Sequence, residues 1–147
     1  MKRFAFKLDA LLELRRQREE SVKLLLAEKN REIIAATGEL NGYYEALREL
    51  QSSEKTRRSG REPVLLLRYS VAYRYKLKSD ILRIGRRIDE LRSEAAAVQR
   101  KLLDATKARR ALEIIRDRQF DAWKKEYRRR EQNFIDDVAQ QKYIASR

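Results

Sequence analysis

Apolar residues recur along most of this chain in alternating steps of four and three. The first series runs Leu8, Leu12, Arg15, Glu19, Val22, Leu26, Lys29, Ile33, Ala36, Leu40, Tyr43, Leu47 and Leu50, and ten of its thirteen positions are apolar or aromatic. A second runs Leu77, Ile81, Ile84, Ile88, Leu91, Ala95, Val98, Leu102, Ala105, Arg109 and Leu112, with ten of eleven apolar. Such an alternation keeps one stripe of a helix turned toward a partner helix, the mark of a coiled-coil seam. Neither series changes phase, which argues against disorder despite the high charge. After Leu112 the spacing becomes Arg116, Phe120, Trp123, Tyr127, Arg130 and Phe134. Its two consecutive fours predict a stutter that locally unwinds the supercoil.

Between the two series lies SSEKTRRSGREP, Ser52 to Pro63, the only polar segment holding both a Gly and a Pro. Gly60 suits a positive φ, and Pro63 suits the first turn of a new helix, where its missing N–H costs nothing. The pattern therefore predicts an all-α fold, with two long helices in an antiparallel coiled-coil hairpin. Helix one is expected over about 4–52, the turn over about 53–62 and helix two over about 63–142, forming a single hairpin across 1–147. Placing Leu50 opposite Leu67 sets Leu8 opposite Arg109. Helix two beyond about Leu112 then has no partner in the chain and forms a C-terminal overhang. The opening stretch FKLDALLELRRQREE (Phe6 to Glu20) begins apolar and turns charged. Its Leu8, Leu11 and Leu12 are expected to clamp the N-terminal end onto helix two near Ala105 to Leu112.

Composition agrees with long helices and adds a charge argument. Charged residues make up 40% of the 147 residues and aromatics 8%, with four Gly and one Pro, so the chain buries a narrow seam and no broad core. Lys and Arg number 36 against 23 Asp and Glu, a formal +13 that favours nucleic acid, acidic lipid or an acidic protein surface as partner. There is no Cys and no His, no Gly-rich phosphate loop and no Ser in a nucleophile setting. Carboxylates on a two-helix seam lack a cleft that would desolvate them, so no enzyme, cofactor or metal site is expected. The longest apolar run, Val64 to Leu67, is far short of the roughly 18–20 residues of a membrane span. Lys7, Asp9 and Glu13 interrupt any signal-peptide core, and the expectation is a soluble cytoplasmic protein.

Three features could carry function. Phe120, Trp123, Tyr127 and Phe134 lie among Lys124, Lys125, Arg128, Arg129 and Arg130, and Arg100 to Arg130 holds twelve basic residues against five acidic. This reads either as a solvated helix end or as an apolar plug whose basic collar orients it in an acid-lined partner. Tyr43, Tyr44, Tyr69, Tyr73 and Tyr75 gather near the hairpin tip as candidate contact residues. Arg15, Glu19, Lys29 and Arg109 interrupt the seams, where charged residues disfavour wrong alignments. Nucleic-acid binding is the weaker reading, because the basic residues are spread around the helices among many acids.

The residues also carry a family resemblance. The pattern F-x-F-x-L-x-x-L-L-x-L-R appears as Phe4, Phe6, Leu8, Leu11, Leu12, Leu14 and Arg15, with Glu19 and Glu20 soon after. With the chain length, the mid-chain polar turn and DRQ at Asp117 to Gln119, it resembles the flagellar export protein FliJ family over essentially the whole chain. That family has a relative among injectisome stalk proteins. The resemblance implies a hairpin similar to the gamma stalk of rotary ATPases, a non-enzymatic component of the flagellar type III export apparatus. The end bearing both termini is then expected to insert into the pore of the hexameric export ATPase and promote its activity. Phe6, Phe120, Trp123 and Tyr127 would supply apolar contact, while Arg15, Arg16, Lys124, Lys125, Arg128 and Arg129 would meet acidic loops of the ring. The resemblance also implies contact with export chaperones and with the cytoplasmic domain of the membrane export gate. The gate contact falls on Tyr43, Leu50, Tyr73, Leu77 and Ile84, and Ala46 and Asp80 depart from the larger or apolar residues expected there. Such a protein would be cytoplasmic and peripherally associated with the inner-membrane apparatus. Two alternatives remain at this stage: a basic coiled coil that binds nucleic acid, and a homo-oligomeric structural rod.

Overall fold

A computed structural model describes residues 3–58, 60 and 63–145, and among them the chain forms two α-helices and no strand. Helix α1 spans Asp9–Arg57 and helix α2 spans Val64–Ala145. The acidic Asp9 opens α1, and Lys55 and Arg57 close it, each complementing the helix dipole at its own end. The first backbone bond of α-helical spacing runs from the Leu12 N–H to the Leu8 carbonyl at 2.9 Å.

Helix α1 starts and ends about five residues later than the sequence predicts. At its start, the alternating Phe4 and Phe6 are used for packing in a non-helical segment, so the helix waits for Asp9. At its end, the Ser53 and Thr56 hydroxyls donate back to the carbonyls of Leu50 and Ser52 at 2.9 and 3.2 Å. Glu54, Lys55 and Arg57 are good helix formers, and the helix continues through them. Gly60 closes the helix end by donating to the Arg57 carbonyl at 2.9 Å. It does so without the expected positive φ, which no described glycine adopts. The Pro63 carbonyl accepts from the N–H groups of Leu66 and Leu67 at 3.0 and 3.4 Å, so Pro63 stands just before α2. The rest of the predicted turn, Ser59, Arg61 and Glu62, lies outside the described residues.

Two compact units divide the chain, and each holds a piece of both helices. The first is Val22–Lys101, which contains the turn. Its helices run antiparallel, as the cross-helix ion pairs Glu54–Arg74 and Lys29–Glu94 require, the latter at 2.8 Å. Leu77, Ile84, Ile88, Leu91, Ala95 and Val98 of α2 are buried, and they are the predicted seam. The matching α1 positions, from Val22 through Leu26, Ile33, Ala36, Leu40, Tyr43 and Leu47 to Leu50, are half-buried. The register is about one heptad from the expected pairing of Leu50 with Leu67. The reason is that α1 runs on to Arg57 while the first turn of α2 stays outside the seam. Burial on α2 starts at Ser70, and Val64 to Leu67 are all exposed.

The second unit is Met1–Ser21 with Leu102–Arg147. Here Leu12 is fully buried at 0% exposure, and Leu102, Ala105, Arg109 and Leu112 are half-buried opposite α1. Leu8 and Leu11 are exposed, so of the three expected clamp residues only Leu12 is enclosed. Phe6 takes the place of the other two, at 8% exposure. Between Leu112 and Tyr127 the half-buried positions are Glu113, Arg116, Trp123 and Glu126.

Gly38, Gly42 and Gly85 lie in helix interiors, and a Cβ added to any of them would meet nothing within 4 Å. With negative φ and open space, Gly38 and Gly85 only lower helix stability. Gly38→Ala and Gly85→Ala are each expected to raise the unfolding free energy by about 0.5–1 kcal/mol. Urea unfolding followed by circular dichroism measures this; a loss of stability in both variants would contradict the open-space reading.

Candidate functional site

The second unit gathers the aromatic residues onto one surface. The Phe4 ring meets Phe120 edge-on with centroids 5.2 Å apart, and Trp123 at 6.0 Å. Phe120 stacks on Trp123 at 5.8 Å, and Trp123 meets Tyr127 in a tilted pair at 5.4 Å. These separations suit aromatic pairs, each adding about 0.5–1.5 kcal/mol beyond area burial. The helical spacing 120, 123, 127 places three rings along one side of α2. The segment before α1 then brings Phe4 across them, held by the buried Phe6 and by the Asp9 N–H donating to the Phe6 carbonyl at 3.1 Å. A shallow groove opens between this segment and α2, lined by Phe4, Ala5, Gln119, Trp123, Glu126 and Arg130.

This corrects the expectation that α2 has no intrachain partner beyond Leu112. The partner is an N-terminal segment without helical structure, which the seam count from Leu8 onward could not reveal. The alternation F-x-F at Phe4 and Phe6 was the available signal, since it fits an extended strip better than a helix. The C-terminal overhang is present but starts after Tyr127. From Arg128 to Ala145 only Val138 is shielded, and Phe134, Ile135, Tyr143 and Ile144 are exposed.

Charges surround the aromatic surface unevenly. Lys124, Lys125, Arg128 and Arg129 are exposed on α2. Glu126 accepts from Arg130 at 2.9 Å, and that hydrogen bond holds its carboxyl below the usual range. Arg15 is half-buried in the seam, and Arg16 is engaged within the unit by Glu113 at 3.3 Å. Phe6 is buried, so of the ten candidate ATPase-contact residues it alone presents almost no surface. Phe120, Trp123 and Tyr127 keep an exposed or half-exposed edge.

Of the charged seam residues, Glu19, Lys29 and Arg109 find partners across the helices. Glu19, at 4% exposure, accepts from the Thr106 hydroxyl at 2.9 Å and from the Arg109 guanidinium. Hydrogen bonds to Glu19 and then Glu113 raise the Arg109 pKa. Desolvation pushes the Glu113 carboxyl upward, but hydrogen bonds from Arg109 and Arg16 outweigh it and leave the group lowered. In the other unit, hydrogen bonds to Glu94 and Glu32 raise Lys29, and the Lys29 bond lowers Glu94.

The unit Val22–Lys101 carries a second groove near the turn, lined by Gly42, Tyr43, Ala46, Tyr73, Leu77 and Asp80, among others. It exists because Gly42 and Ala46 put almost no side chain between the two tyrosines. Tyr43 donates to Glu39 at 3.2 Å; partial desolvation, and then this bond, raise its pKa. Of the five candidate gate-contact residues, the structure brings Tyr43, Tyr73 and Leu77 to this groove. Leu50 is half-buried in the seam away from it. Leu77 and Ile84 are buried at 3% and 5%, so they support the seam and offer little surface, contrary to their expected place in a contact patch. Tyr44, Tyr69 and Tyr75 are exposed outside the groove.

Among the described residues, no group of three or more acidic side chains is placed to hold a metal ion, and no helix is long and apolar enough to cross a membrane. The family model described as "Flagellar FliJ protein" matches residues 4–147. No curated protein and no solved structure matches the chain.

Proposed function

The chain belongs to the flagellar FliJ family and is a component of the flagellar type III export apparatus, and from that premise we propose that it is a non-enzymatic stalk of the export ATPase. The end formed by Phe4, Phe120, Trp123 and Tyr127 enters the pore of the ATPase hexamer and promotes its activity. The observation that carries this reading is an aromatic surface, only partly covered by its own chain, beside four exposed cations. Apolar rings supply contact area, and Lys124, Lys125, Arg128 and Arg129 orient the end in an acid-lined pore. The groove of Tyr43, Gly42, Ala46 and Tyr73 receives the cytoplasmic domain of the membrane export gate. Contact with both would hold the protein at the inner-membrane apparatus, where it would also meet export chaperones.

Pull-down of the ATPase tests the first contact. A chain ending after Tyr127 keeps the aromatic cluster and its Phe4 cover. Combined with Lys124→Glu and Lys125→Glu, it is expected to lose both binding and ATPase stimulation. Undiminished binding and stimulation would sink the proposal. For the gate, Tyr73→Ala is expected to weaken capture of the gate domain while leaving ATPase stimulation unchanged.

A further inference from the structure

The turn end of the unit Val22–Lys101 has an apolar surface that neither groove uses. Val64, Leu65, Leu66 and Leu67 form the first turn of α2 and are exposed at 68, 64, 44 and 44%. Tyr69 and Tyr75 follow, at 69 and 72%. Successive helical residues are about 100° apart, so these four aliphatic side chains point to every side of the helix. One groove of a protein partner covers one side of a helix. A surrounding apolar medium covers all of them.

The charge around this turn is one-sided. Residues 55–78 contain eight Lys and Arg (Lys55, Arg57, Arg58, Arg61, Arg68, Arg74, Lys76, Lys78) and a single acid, Glu62. Arg74 is paired with Glu54, while Arg68 is exposed on α2 directly after the aliphatic turn, and Lys76 and Lys78 are exposed two to three turns further along. The positive end of the α2 dipole lies at the same place.

From the all-round aliphatic turn, its flanking tyrosines and its basic collar, we propose that the turn end of the hairpin binds the surface of an anionic phospholipid bilayer. Val64 to Leu67 enter the interface, Tyr69 sits at headgroup level and Arg68 meets lipid phosphates, while Lys76 and Lys78 further along α2 add to the attraction of the anionic surface. This contact does not depend on the stalk reading, since it requires no other protein.

Flotation of the full chain with phosphatidylethanolamine vesicles carrying phosphatidylglycerol, beside phosphatidylcholine vesicles, tests the proposal. A chain of formal charge +13 can adsorb to anionic vesicles anywhere on its surface, so a reporter of position is needed. The only tryptophan, Trp123, belongs to the other unit. The variant Leu66→Trp with Trp123→Phe moves the fluorophore to the turn. The expected results are binding to anionic vesicles only, a blue shift of this variant's indole emission, and no shift of the native Trp123. Leu65→Ser with Leu66→Ser, at unchanged helicity, is expected to lower the partition coefficient about tenfold or more. Three outcomes overturn the proposal: no vesicle binding, binding that the serine variants do not weaken, or an emission from the Leu66→Trp variant that stays unshifted. A turn required only for capture of a protein partner, with no vesicle binding, overturns it as well. Vesicle binding and ATPase stimulation are separate readouts, so either can fail alone.

Discussion

Leu12→Ala is expected to cost about 2–4 kcal/mol of stability, the largest effect of any single truncation among the described residues. Of their large side chains, Leu12 alone has no exposed area, enclosed where α1 meets the 102–147 part of α2. Truncation there removes the burial of a whole side chain and leaves a cavity that two continuous helices cannot readily close. A two-helix seam also has few other buried residues to share the loss. Leu14 is two residues away in the same helical turn but 59% exposed, so Leu14→Ala should stay within about 0.5 kcal/mol of the parent. Urea unfolding followed by Trp123 fluorescence reads the unit that contains both sites. Equal effects of the two substitutions would show that Leu12 is not the enclosed residue described here.

The second large effect concerns Glu19. Its carboxylate is buried, and it satisfies the Thr106 hydroxyl and the Arg109 guanidinium from the opposite helix. Glu19→Ala removes those acceptors and is expected to cost about 1–3 kcal/mol, because a partly buried cation and a hydroxyl lose a partner. Arg109 keeps Glu113, at 2.5 Å, which limits the loss. Replacing both partners, Glu19→Leu with Arg109→Leu, leaves no uncompensated charge and is expected to restore or exceed the parent stability. Thermal unfolding of the three chains checks this cycle. If the double variant is as weak as Glu19→Ala, the network is not what holds this part of the seam. The double variant should also lose specificity of alignment, since the remaining seam is more uniformly apolar.

Much of the fold is legible along the chain because heptad periodicity is a property of a single helix. All eleven positions of the second series are shielded in the structure, and of the first series only Leu8 is exposed. The polar exceptions were legible too: Glu19, Lys29 and Arg109 stood out as charges on an apolar stripe. What they pair with was not. The candidate site was legible in part, through Phe120, Trp123 and Tyr127 at helical spacing among basic residues. Its fourth ring, Phe4, comes from a segment more than a hundred residues away in sequence. No periodicity links the two.

The sequence by itself determined two helices, the stripe each turns inward, the position of the turn and the excess of positive charge. These follow from local spacing and composition, which need no knowledge of a partner. The tertiary structure decided the register, the point where α2 becomes an overhang, and which side chains of the turn and the aromatic surface are left exposed. A heptad repeat slid by seven residues presents nearly the same apolar stripe, so apolar contact alone barely separates the alternatives. The cross-helix pairs Glu19–Arg109, Lys29–Glu94 and Glu54–Arg74 distinguish them, because a slip would leave charged groups in the seam without their partners.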